Sequence, residues 1–126
     1  MRKLKPVKNE FKYTFGRLFT DHMLSIEWNK VGGWSAPEIL PYGPVKMATS
    51  ATALHYGISV HEGISVLENA NTGKLQGFRA KEHINAFYES SEHLDMPLFD
   101  EGELLNSIKK LVQLDKEWLD VLENPD

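Results

Sequence analysis

The chain of 126 residues contains no cysteine, which removes disulfides, thiolate metal ligands and a thiol nucleophile from consideration. It also lacks an apolar run approaching the ~20 residues that cross a bilayer, so no transmembrane segment is read. The basic opening MRKLKPVKNE has no hydrophobic stretch behind it, and no secretory signal is expected there. A net charge of −4 leaves no surplus of lysine and arginine for a phosphate backbone, which argues against nucleic acid as the main partner. Repeats and low-complexity tracts are missing as well. What is there is ordinary globular material: 41% hydrophobic and 25% charged residues, with three Trp, four Tyr and six Phe to fill a core. The length fits one domain.

The pattern along the chain predicts an α+β fold, strand-rich in the first two thirds and helical in the last. In FTDHMLSIEWN, residues 19–29, Leu24, Ile26 and Trp28 alternate with Met23, Ser25 and Glu27, the period of a half-buried strand with the first three side chains toward the core. Residues 31–44, VGGWSAPEILPYGP, hold three Gly and three Pro and read as loop with at most a short extended piece. Two extended runs, Ile64 to Leu67 and Lys74 to Phe78, flank ENANTG, whose Asn and Gly residues favour a hairpin turn. Ile84, Phe87, Tyr88 and Leu94 fall near helical spacing between Lys81 and Leu94, with Pro97 as a stop. A second helix is expected from Asp100 to Leu119: Asp100 is the N-cap, Glu103 follows three residues on, and the stripe from Leu104 to Trp118 is apolar.

The stretch LHYGISVHEG, residues 54–63, invites a metal reading that its spacing does not support. Two zinc ligands on one helix face stand four residues apart, but His55 and His61 are six apart. On a strand the same separation places them about 20 Å from each other, and His61 and Glu62 point to opposite faces. His22, His83 and His93 lie in other segments, so no metal site is assigned. Ser50, Ser59 and Ser65 lack a strand-to-helix elbow, and Gly57, Gly63, Gly73 and Gly77 form no phosphate-binding fingerprint.

Taken together, FGRLFTDHMLSIEW, ATALHYGISVHEG, GFRAKEHINAF and FDEGELLNSIKKLVQLDKEWL resemble the N-terminal small domain of branched-chain amino acid aminotransferases, which are fold-type IV pyridoxal phosphate enzymes. The resemblance runs from about Phe15 to Trp118. It implies an N-terminal extension over residues 1–14 and a small domain over 15–126, with a twisted, mostly antiparallel sheet, a β-hairpin and two C-terminal helices. It also implies that Phe15 and Tyr56 line an aliphatic substrate pocket, where burying a branched side chain contributes roughly 1.5–3 kcal/mol.

Three positions depart from the family pattern. His61 stands where the family has a phenylalanine before EG, bringing a titratable ring to the substrate-binding wall. Ala86 stands where an arginine helps hold the cofactor phosphate, so a charge-assisted clamp is missing. Of the nearby cations, Lys81 and Arg79, only Arg79 shares a helical face with Ala86, about two turns away. Ser65 occupies a position that is lysine in many relatives.

The lysine whose amine binds pyridoxal 5'-phosphate belongs to the family's large domain, and no lysine here matches it. The resemblance therefore implies a chain with no catalytic residue of its own and no cofactor bound by itself. Its partners would be a large catalytic domain or other subunits, in a homo- or hetero-oligomer, with exposed apolar surface where they dock. A mitochondrial or cytoplasmic location is expected. The alternative is a degenerate, non-catalytic homologue serving as a structural or accessory subunit, which His61 and Ala86 favour.

Overall fold

The computed structural model describes Gly16, residues 19–119 and the backbone of 121–122. It is an open α+β domain in which short strands precede two long helices. Strand β1 (His22–Ser25) pairs antiparallel with β4 (Glu38–Pro41), setting Met23 opposite Leu40 and Leu24 opposite Ile39. Between them lies a two-residue hairpin, β2 (Trp28–Asn29) with β3 (Gly33–Trp34). The Gly- and Pro-rich stretch, expected to hold at most a short extended piece, thus supplies both β3 and β4.

The inner hairpin corrects the expectation of one strand from Phe19 to Trp28. Asn29 Oδ1 accepts from the amides of Val31 (3.0 Å) and Gly32 (2.7 Å), and Gly33 takes φ +72°. This tight turn opposes Trp28 to Trp34 and draws it away from the line of β1. Trp28 is consequently 44% exposed and does not face the core, whereas Leu24 and Ile26 do face inward. Phe19 lies outside the strand and stacks on Tyr42, ring centroids 4.5 Å apart.

After a short helix α1 (Thr52–Tyr56), β5 (Val66–Asn69) and β6 (Leu75–Gly77) form the expected hairpin. Asn69 Oδ1 accepts from the amides of Asn71 and Thr72, and Gly73 closes the turn at φ +62°. Helix α2 (Ala80–His93) ends in a reversal: Met96 N donates to Ser91 O, and Asp95 adopts a left-handed φ of +55°. Helix α3 (Glu101–Leu114) begins as its sequence predicts, with Asp100 Oδ1 accepting from Glu103 N at 2.8 Å. It stops five residues before Leu119. Asp115 caps it and the chain tightens into a 3₁₀ turn, Lys116–Trp118.

Long-range polar contacts join the layers. The backbone amide of His22 donates to Asp115 Oδ2 (3.0 Å) and its Nδ1 meets Asp115 Oδ1 (2.7 Å), fixing β1 to the end of α3. Trp34 Nε1 donates to Leu98 O (2.8 Å), and Phe99 in the α2–α3 link makes ring contacts with Trp34, Phe87 and Tyr88. Beyond the hairpin, β7 (Val121–Leu122) runs parallel to β5, giving a three-stranded sheet in the order β6-β5-β7. The pairing is therefore mostly antiparallel, distributed over three small sheets. Ile84, 4% exposed, is the one deeply buried apolar side chain among the described residues.

Candidate functional site

The segment from Leu54 to Gly63 is positioned from both ends. On the N-terminal side, α1 is closed by Gly57 in the left-handed region at φ +64°, a conformation that costs an L side chain energy. The His55 ring contacts the carbonyl of Thr49 through Nε2; a carbonyl only accepts, so Nε2 carries the proton. Tyr56 then stands 78% exposed, flanked by Leu54 at 62% and Ile58 at 44%.

On the C-terminal side, Glu62 is the anchor. Its Oε1 accepts from His83 Nδ1 on the first turn of α2 at 2.8 Å and from the Gly63 amide at 3.2 Å. These two hydrogen bonds, the His83 bond foremost, hold the Glu62 carboxyl below the usual glutamate range despite the opposing effect of partial desolvation. Glu62 and His83 are 21 residues apart in the chain, and nothing in their local spacing announces the pair.

Of the residues singled out from sequence, Phe15 lies outside the described residues. Tyr56 and His61 are both exposed, and among the described residues no hydrogen bond or ring contact joins them. His61 acts on the site only as a weak electrostatic neighbour of Glu62. Ser65 is exposed at the hairpin base, its carbonyl accepting from Phe78 N at 2.9 Å. Ala86 is half-buried on α2 and lines a shallow hollow of about 460 Å³ with Val60, Glu89, Ser90 and His93.

This hollow offers a carboxylate, a hydroxyl and an imidazole but no guanidinium or ammonium, so it lacks the charge-assisted clamp that a phosphate dianion would need. Arg79 does not make up the difference. It precedes α2 at φ +50°, and its Nε lies 3.6 Å from Glu82 Oε1. Lys81 is exposed on the first turn and does not line the hollow.

No protein-family model matches the chain. Curated relatives do. A probable branched-chain-amino-acid aminotransferase of Staphylococcus aureus (strain N315) is 37% identical over 116 residues, 92% of this chain and 32% of the relative. The cytosolic branched-chain-amino-acid aminotransferase of Mus musculus is 34% identical over 92% of this chain and 30% of its own length. Branched-chain-amino-acid aminotransferase 2 of Bacillus subtilis (strain 168) is 36% identical over 94% of this chain and 32% of the relative. Over nearly its whole length the chain is similar to branched-chain-amino-acid aminotransferases. It spans about a third of the length of these relatives, and the match is to their N-terminal part. Around the HYG and HEG motifs, the Glu62–His83 bond fixes the polar side and Tyr56 stands open to solvent.

Proposed function

We propose that this chain is the small domain of a branched-chain aminotransferase-like protein, furnishing one wall of a substrate pocket and an interface with a larger catalytic domain. The observation that carries the reading is the presentation of Tyr56. Its ring stands 78% in solvent on a segment fixed by the Gly57 turn and the Glu62–His83 bond, with Leu54 and Ile58 exposed beside it. Such a wall is useful when a second body closes over it: the ring then sheds water against an aliphatic side chain while its hydroxyl orients a polar group at the rim. Phe15 and His61 are assigned to the same substrate-binding wall.

The chain is not catalytic by itself in this reading. Pyridoxal phosphate would supply the amine-exchange chemistry in the complete protein, held by groups on the large domain. The residues around Ala86 do not suit its phosphate, so no step is assigned to them. The test combines this chain with a separately produced large domain of a branched-chain relative and pyridoxal phosphate. Leucine-dependent amino transfer is expected from the pair and not from either half. Tyr56→Ala is expected to lower kcat/KM for leucine by tenfold or more, the equivalent of about 1.4 kcal/mol. Turnover of leucine by this chain alone would defeat the assignment.

A second reading has Ala86 behind it: an accessory subunit, descended from an aminotransferase, that has given up its part in cofactor binding. Ala86→Arg separates the two. If the position still faces a cofactor in the assembled protein, the substitution tightens pyridoxal phosphate binding. An accessory subunit instead shows no response, and native mass spectrometry finds it with partners that bind no pyridoxal phosphate.

A further inference from the structure

A second cleft lies away from the HYG and HEG motifs and shares no residue with the Ala86 hollow. It opens between the β5–β6 hairpin and α3, with a volume of about 540 Å³, inside the roughly 300–1,000 Å³ span of small-molecule sites. Its walls follow from two periodicities meeting. Ile64 and Val66, two residues apart on β5 and its approach, face the same way as Leu75 across the ladder, and Ile108 and Val112, four apart on α3, face them from the helix.

Its charges are all of one sign. Lys74 from the hairpin and Lys109 and Lys116 from the helical side line the cleft, and among the described residues no aspartate or glutamate does. Lys109 and Val112 stand three apart on α3, and Lys116 follows in the 3₁₀ turn beyond its end, so cations from two successive elements border the apolar wall. None of the three lysines forms an ion pair among the described residues. Glu68 follows Val66 on the same sheet face but is not ion-paired to them.

We propose that this cleft binds an amphipathic anion, with an aliphatic body against Val66, Leu75, Ile108 and Val112 and a carboxylate or phosphate head among Lys74, Lys109 and Lys116. An apolar trough alone would accept any greasy partner; three ammonium groups with no ion-pair partner among the described residues select a negative head. The inference does not depend on the proposed aminotransferase role, because no residue of that wall lines this cleft.

The experiment titrates the intact chain with decanoate, decyl phosphate and decyltrimethylammonium, each below its micelle-forming concentration, and follows backbone amide shifts. At least one of the two anions is expected to saturate with Kd below about 1 mM, shifting Val66, Leu75, Ile108 and Val112; which one saturates distinguishes a carboxylate from a phosphate head. Replacing all three lysines (K74Q, K109Q, K116Q) should weaken that binding about tenfold while leaving the remaining spectrum in place. Equal binding of the cationic analogue, unchanged affinity in the triple variant, or shifts confined to another surface would each overturn the proposal. So would cleft resonances that move with protein concentration alone, which would assign the cleft to contact between copies.

Discussion

Asp115 shows how much one side chain can hold. It is 5% exposed, and its two oxygens receive the backbone amide and the ring nitrogen of His22, a residue 93 positions earlier. Burial alone pushes its carboxyl up. The hydrogen bonds from the His22 and Thr20 side chains and the His22 amide outweigh that, leaving it below the ordinary aspartate value. A depressed carboxyl in the folded state contributes stability that is present above the unfolded value of about 3.9 and disappears as pH falls through the folded one. Urea titrations between pH 6 and pH 2 should therefore show stability declining as pH drops below about 4. Asp115→Asn should flatten that part of the profile and cost about 1–3 kcal/mol near neutrality, since partners chosen for a carboxylate are left with an amide. At the surface, Glu62→Gln should leave the melting temperature nearly unchanged but speed amide exchange at Gly63, because the substitution weakens the acceptor shared by His83 and that amide. Unaltered exchange at Gly63 would remove Glu62 from its anchoring role.

Among the elements, the start of α3 and the end of α2 carry local signals in their sequences, though of different kinds. Helix α3 starts where Asp100 can accept from Glu103 N, and Asp100→Ala should destabilise the domain by about 0.5–2 kcal/mol in urea unfolding. Helix α2 ends in a reversal that asks Asp95 for φ +55°, a place glycine fills more cheaply. Asp95→Gly is accordingly expected to raise stability by about 0.5–1 kcal/mol, and a loss would show that the aspartate side chain contributes something besides its backbone shape. Most of both helices and the 64–78 hairpin were legible because the needed information is local: apolar spacing, a cap, and a turn rich in Asn and closed by Gly73. Trp28 was misjudged because its alternation with Leu24 and Ile26 continues past Ser25, while the Asn29–Gly33 turn claims the backbone for a separate hairpin. The end of α3 escaped for a different reason. The apolar stripe runs on to Trp118, and only the tether between Asp115 and β1 shows where the helix gives way. Glu62 and His83, 21 residues apart, meet through tertiary folding alone, whereas local sequence sets Glu62 beside His61.

At the scale of the whole molecule, the thinness of the core is the governing fact. Ile84 alone among the described apolar residues is deeply buried, while Val45, Tyr56 and Phe78 stand 69%, 78% and 68% exposed. Ile84→Ala should cost about 2–5 kcal/mol by opening a void with few neighbours able to fill it. Circular dichroism of this variant should show thermal unfolding at a clearly lower temperature, and an unmoved transition would mean that the core lies elsewhere. The parallel pairing of Glu68 and Asn69 with Val121 and Leu122 has a further consequence during synthesis. The hairpin can form as soon as residue 77 clears the ribosome, but the other side of β5 stays bare until two helices and a turn have followed. A nascent chain paused in that interval offers an open strand edge to any neighbour, so this is the moment at which a chaperone would matter most to it.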